Sequence, residues 1–110
     1  MEQGDCFQAN AEYLIDIFHK HPKDRKVLQI FRLCHGMVLG AKGSPVEGKW
    51  FMHCWIEING DVVLDNSNGK QTIGRKDKIA YRIKEETVKR YTVRQAMQKL
   101  LETEHYGEWD

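Results

Sequence analysis

The chain has 110 residues, 41% of them hydrophobic, which is enough for one packed core and too few for two domains. Seventeen Lys and Arg against sixteen Asp and Glu leave a net charge of +1, so overall charge selects no polyanionic partner. No apolar run approaches the ~20 residues of a membrane span, and the acidic, polar N-terminus does not read as a signal peptide.

The first element in chain order is a helix. Phe7, Ala11, Leu14, Ile15 and Phe18 have the spacing of one buried helical face. Asp5 is a candidate N-cap with Gln8 as its box partner, and His19, Lys20 and His21 before Pro22 suit a helix C-terminus. Cys6 therefore falls in the first turn, where unpaired backbone N–H groups and the helix dipole favour a thiolate. Residues 23–26 are a polar link, and 27–39 read as one long strand, broken or bulged at Gly36. Residues 40–48, with three glycines and a proline, form a mobile loop. Residues 49–58, rich in aromatic and β-branched side chains, are a second strand; Asn59-Gly60 is a hairpin turn and 61–65 the return strand. After a turn at 66–69, one or two short strands fit within 72–83, where Ile79, Tyr81 and Ile83 alternate. Thr92 caps a last helix carrying Val93, Ala96, Met97, Leu100 and Leu101 on one face, and the tail with Tyr106 and Trp109 folds back on the body. Helix, four or five strands, helix predicts a single α+β domain over 1–110. An antiparallel sheet carries the N-terminal Cys-bearing helix and the C-terminal helix.

Three cysteines in no framework spacing argue against a disulfide scaffold and for a reducing, cytoplasmic setting. Residues 70–94 hold nine basic and three acidic side chains, and 102–110 hold four acids and no Lys or Arg. This pattern reads as a solvated basic face and an acidic tail. A nucleic-acid surface would need aromatic interleaving or a motif, and neither is present.

Strand alternation puts His53, Trp55 and Glu57 on one face and Met52, Cys54, Ile56 and Ile58 on the other. A plain two-residue turn sets Ile58 against Asp61 and Asp65 against Cys54, one residue away from His53. A bulge or a one-residue change in the turn aligns the two. A thiol, an imidazole and a carboxylate are the three groups of a cysteine nucleophile with its base and orienter, and Cys6, His53 and Asp65 supply them. Each also has a plainer role. Cys6 suits a small apolar site, His53 a satisfied core position, Asp65 the start of an Asx-turn, Glu57 a structural Lys or Arg partner, and Trp50 and Trp55 a core or cleft wall. Cys34-His35 and His53-Cys54 offer zinc-ligand types, but neighbours on a strand face opposite sides and the spacing fits no finger. No metal and no other cofactor is expected, and Cys34 and Cys54 read as buried small hydrophobes. Phosphate-loop and dinucleotide fingerprints are lacking.

Gly-Asp-Cys-Phe-Gln-Ala-Asn-Ala at 4–11, His-Cys-Trp-Ile-Glu-Ile at 53–58 and Val-Val-Leu-Asp at 62–65 together resemble the minimal core of the transglutaminase-like, papain-like cysteine enzymes. The resemblance covers 4–69, and the tail over 90–109 is similar to the ending of small bacterial and phage proteins with this core. It implies Cys6 as nucleophile, His53 as general base and acid, and Asp65 as the group that holds the ring. It also implies a peptide or protein substrate and acyl transfer of the peptidase, amidase, deamidase or transglutaminase type through a thioester. The chain departs from the pattern in having less sequence between cysteine and histidine, and in carrying Cys54 beside His53. An oxyanion donor is open between Gln3, Gln8 and the backbone N–H of Cys6, and Trp55 is a candidate for substrate contact. The alternative is an inactive domain of the same fold that binds a peptide or protein in a cleft lined by Trp50 or Trp55.

Overall fold

A computed structural model describes residues 5–67, 69–79 and 81–109. Helix α1 spans Cys6–Lys20, α2 Arg25–Ile30 and α3 Val93–Thr103; the strands are β1 Phe31–Leu39, β2 Trp50–Ile58, β3 Val62–Ser67, β4 Lys70–Arg75, β5 Arg82–Ile83 and β6 Lys89–Tyr91. The sheet is antiparallel in the order β4-β3-β2-β1-β5, and β6 also pairs with β1. This is an α+β architecture with an N-terminal and a C-terminal helix against one face of the sheet.

Both faces are covered, which explains why β2 reads as a nearly unbroken apolar run. On one face Leu33, Cys54, Ile56 and Leu64 pack against Cys6, Ala11 and Leu14 of α1 and Val93 and Ala96 of α3. On the other, Cys34, Val38, Trp55 and Val63 lie under Ile79, Tyr81, Ile83 and Val88. The segment between β4 and α3 adds β5 and β6 to the edge of β1 and lays Ile79, Tyr81 and Val88 over that second face.

Three expectations change at the backbone level. The strand expected over 27–39 begins only at Phe31, because the Asp24 side chain accepts from Val27 N–H and starts a short helix instead. A continuous apolar run such as Val27 to Phe31 does not distinguish helix from strand by period alone. Gly36 is neither break nor bulge, since β1 pairs with β2 without interruption from Phe31↔Ile58 to Leu39↔Trp50. Its glycine is required for another reason: a Cβ there would lie 2.8 Å from Val88 Cγ2 and 3.1 Å from the Trp55 ring. The turn after β2 holds one more residue than a plain hairpin. Asn59 and Gly60 take positive φ (56° and 80°), Asp61 N–H closes the turn on Ile58 O, and Ile58 then pairs with Val62 instead of Asp61.

Thr92 caps α3 as expected, through a full capping box: Gln95 N–H donates to Thr92 Oγ1 and Thr92 N–H to Gln95 Oε1. Asp5 is the N-cap residue of α1, but its side chain makes no capping bond to that helix. The tail does fold back. Trp109 is 2% exposed, against Tyr91 and His35, with its indole N–H donating to His105 O at 2.9 Å. Among the described residues no helix is long and apolar enough to cross a membrane.

Candidate active site

The extra turn residue moves Asp65 to the face that matters. Partners across an antiparallel ladder share a face, and the β2–β3 register runs Ile58↔Val62, Glu57↔Val63, Ile56↔Leu64. One further step places Asp65 level with Trp55, on the face of His53, instead of level with Cys54. The ladder between β2 and β3 stops at Ile56↔Leu64, although both strands continue. From there β3 pairs only with β4, and the two strands part.

Asn10, one helical turn after Cys6, fills the gap. Its amide nitrogen donates to Cys54 O (2.9 Å), Cys6 O (2.8 Å) and Asp65 Oδ1 (3.2 Å), and its oxygen accepts from Asn66 N–H at 2.9 Å. The side chain thus replaces the missing rungs and ties α1 into the notch. Through that notch Cys6, which packs with the helix-side core, reaches a ring that alternation places on the opposite side of the sheet.

The three residues meet there. His53 Nε2 donates to Asp65 Oδ2 at 2.7 Å, and Cys6 lies close enough to the same ring for its sulfur to help raise the ring's pKa. All three are enclosed: Cys6 is 4%, Asp65 6% and His53 8% exposed. Burial works against charge on the ring, but the hydrogen bonds and charges of Asp65 and Cys6 outweigh it and raise the His53 pKa to about 9. Burial likewise opposes charge on Asp65, and hydrogen bonds from His53, Ser67 and Asn10 together with the His53 charge hold its carboxyl below the usual range. Four donors saturate this carboxylate: His53 and Tyr81 on Oδ2, Ser67 and Asn10 on Oδ1. Phe51, Trp55 and Tyr81 wall the imidazole, with ring centroids 5.7, 6.2 and 5.0 Å away.

The remaining candidates fall elsewhere. Trp55 is fully buried and donates to Glu57, so it is core and meets no substrate in this conformation. Gln8 is exposed, and two residues beyond Cys6 it leaves the helix on another side. Gln3 lies outside the described residues. Glu57 has the structural partners its plainer role requires, Arg90 at 2.8 Å and Lys76 at 3.4 Å. Cys34 and Cys54 are buried, and desolvation pushes both thiols up. Cys34 and His53 sit on one face of the sheet and His35 and Cys54 on the other, and the described residues contain no group of side chains able to hold a metal ion.

Asn10, Ser67 and Tyr81 were not among the sequence candidates. Asn10 does leave a trace: it is a polar residue in the apolar stripe of α1, spaced i+4 from Cys6. Asn10→Ala strands Cys54 O and Asn66 N–H, and the expected loss is about 2 kcal/mol of unfolding free energy. Urea denaturation measures it; a change within about 0.5 kcal/mol would mean the amide is not a tie between α1 and the strands.

Compared with known proteins, the chain matches no protein-family model, no curated protein and no solved structure.

Proposed function

We propose that the chain is a small cysteine-dependent acyl-transfer enzyme of the transglutaminase-like, papain-like type. The observation that carries this reading is the 2.7 Å bond from His53 Nε2 to Asp65, with Cys6 near enough to the same ring to act on its charge. A cysteine nucleophile needs a cationic neighbour that can return a proton, and the ring needs a fixed tautomer and orientation. Asp65 serves the last requirement, and its own position is fixed by Asn10, Ser67 and Tyr81.

The chemistry then runs in two halves. Cys6 sulfur attacks the carbonyl carbon of an amide or ester, forming the C–S bond as the carbon–nitrogen or carbon–oxygen bond breaks. His53 gives its proton to the departing amine or alcohol. In the second half the ring takes a proton from water or an acceptor amine, whose oxygen or nitrogen attacks the thioester. The C–S bond breaks and the proton passes back to the Cys6–His53 pair. The developing oxyanion is met by N–H groups at the start of α1, since the first amides of a helix have no intrahelical acceptor. A peptide or protein is the proposed substrate.

Trapping the thioester tests this. Incubation with p-nitrophenyl acetate should place one acetyl group on Cys6, located by peptide mass mapping, and none in Cys6→Ala. Acetylation spread over lysines, with Cys6 unmodified and the ester consumed no faster than by buffer, would replace the enzyme with a non-catalytic domain of the same fold.

A further inference from the structure

The cations of the folded chain are not equivalent. Lys76 and Arg90 are committed to Glu57 and Glu85. Arg25, Arg32 and Arg94 are different: among the described residues none has a carboxylate within ion-pair distance. They come from three separate segments, α2, β1 and α3, and line one crevice of about 460 Å3 whose apolar wall is Leu28 and Val93.

This crevice is built to hold an anion. Arg32 Nη1 donates to the carbonyls of Gln29 (2.6 Å) and Phe31 (2.8 Å), which fixes the guanidinium and leaves its other N–H groups unspent. The α3 capping box consumes Thr92 N–H and Gln95 N–H. Val93 and Arg94, whose first-turn N–H groups lack intrahelical acceptors, line the same crevice.

We propose that the crevice docks an acidic peptide segment of a partner protein, with a carboxylate among the three guanidiniums and a neighbouring apolar side chain over Leu28 and Val93. Planar guanidiniums match a carboxylate in bidentate fashion. No aromatic ring lines the crevice to stack a base. Arg32 stands four residues before Gly36, the partner of His53, or about 13 Å along β1. The crevice is separate from the Cys6 site, so docking there does not depend on Cys6 being reactive.

The test is an amide NMR titration of the whole chain with a capped peptide of alternating glutamate and leucine. Saturable shifts are expected at Leu28, Gln29, Val93 and Arg94. Replacing the glutamates by glutamine should weaken binding at least about tenfold, as should the Arg25→Gln, Arg94→Gln pair, with Tm unchanged. Shifts elsewhere or none would overturn the proposal. So would a single-stranded oligonucleotide that shifts the same amides at lower concentration than the peptide, or inorganic phosphate that saturates them as readily.

Discussion

His53→Ala slows alkylation of Cys6 by iodoacetamide at pH 6.5 by about 10- to 100-fold, while Cys34 and Cys54 stay as slow as before. Iodoacetamide reacts with the thiolate, and His53 is the side chain beside Cys6 that can take the thiol's proton. Cys34 and Cys54 serve as internal references, since burial pushes both thiols up and neither is a bonding partner of His53. The alanine variant also opens space beside Trp55 and Tyr81, so Asp65→Asn is the companion. It keeps the size of the side chain but removes the charge behind the ring, and should slow Cys6 by a smaller factor in the same direction. Equal rates at all three cysteines, unchanged in either variant, would show that the imidazole does nothing for the sulfur.

The second large effect concerns the tail. Trp109→Ala is expected to cost about 3–5 kcal/mol, a large share of the ~5–15 kcal/mol that holds a domain of this size together. The indole is 2% exposed, its ring lies 5.2 Å from Tyr91 and 4.9 Å from His35, and no smaller side chain fills that volume. A fall in Tm of at least about 10 °C follows. A shift of only a degree or two would mean that the tail is not part of the core.

His35 makes the same region sensitive to acid. Phe7, Tyr91 and Trp109 enclose it, and among the described residues neither ring nitrogen has a hydrogen-bond partner. Burial, helped by the charge of Lys89, lowers its pKa to about 4. In the unfolded chain the ordinary value is about 6.5, so between the two the unfolded state binds a proton that the folded state refuses. Stability from this residue is complete above about pH 6.5 and falls by roughly 3 kcal/mol as the pH drops to 4. His35→Leu should flatten that part of the pH profile.

Much of the fold is legible in the residues because local chemistry agrees with the final packing. The apolar stripe from Phe7 to Phe18, the Asn59-Gly60 turn and the Thr92 capping box each specify their element without help. What is not legible depends on contacts across the chain. Asp24 competes with a strand-like run by capping Val27, and nothing in the run itself reveals the outcome. The thiol, imidazole and carboxylate are visible as residues, but their approach depends on two features that alternation rules cannot supply: the extra residue Asp61, which changes the face of Asp65, and the parting of β2 and β3 where Asn10 enters. Tyr81 and Ser67 reach Asp65 from different segments, and no spacing in the sequence announces them. The basic stretch is the solvated face its composition suggests, and only the pairing of Lys76 and Arg90 with Glu57 and Glu85 could not be read from it.

The account stands on the Cys6–His53–Asp65 contact, and the ring itself can be watched by histidine-selective nitrogen–proton NMR. With its pKa raised to about 9, His53 should carry protons on both ring nitrogens through pH 8 and lose one near pH 9. Its contribution to stability is therefore fully present below about pH 6.5 and is lost as the pH rises through 9. Cys6→Ala should move the midpoint down. A ring already neutral at pH 7, with an ordinary midpoint near 6.5 that Cys6→Ala leaves in place, would contradict the assembled site.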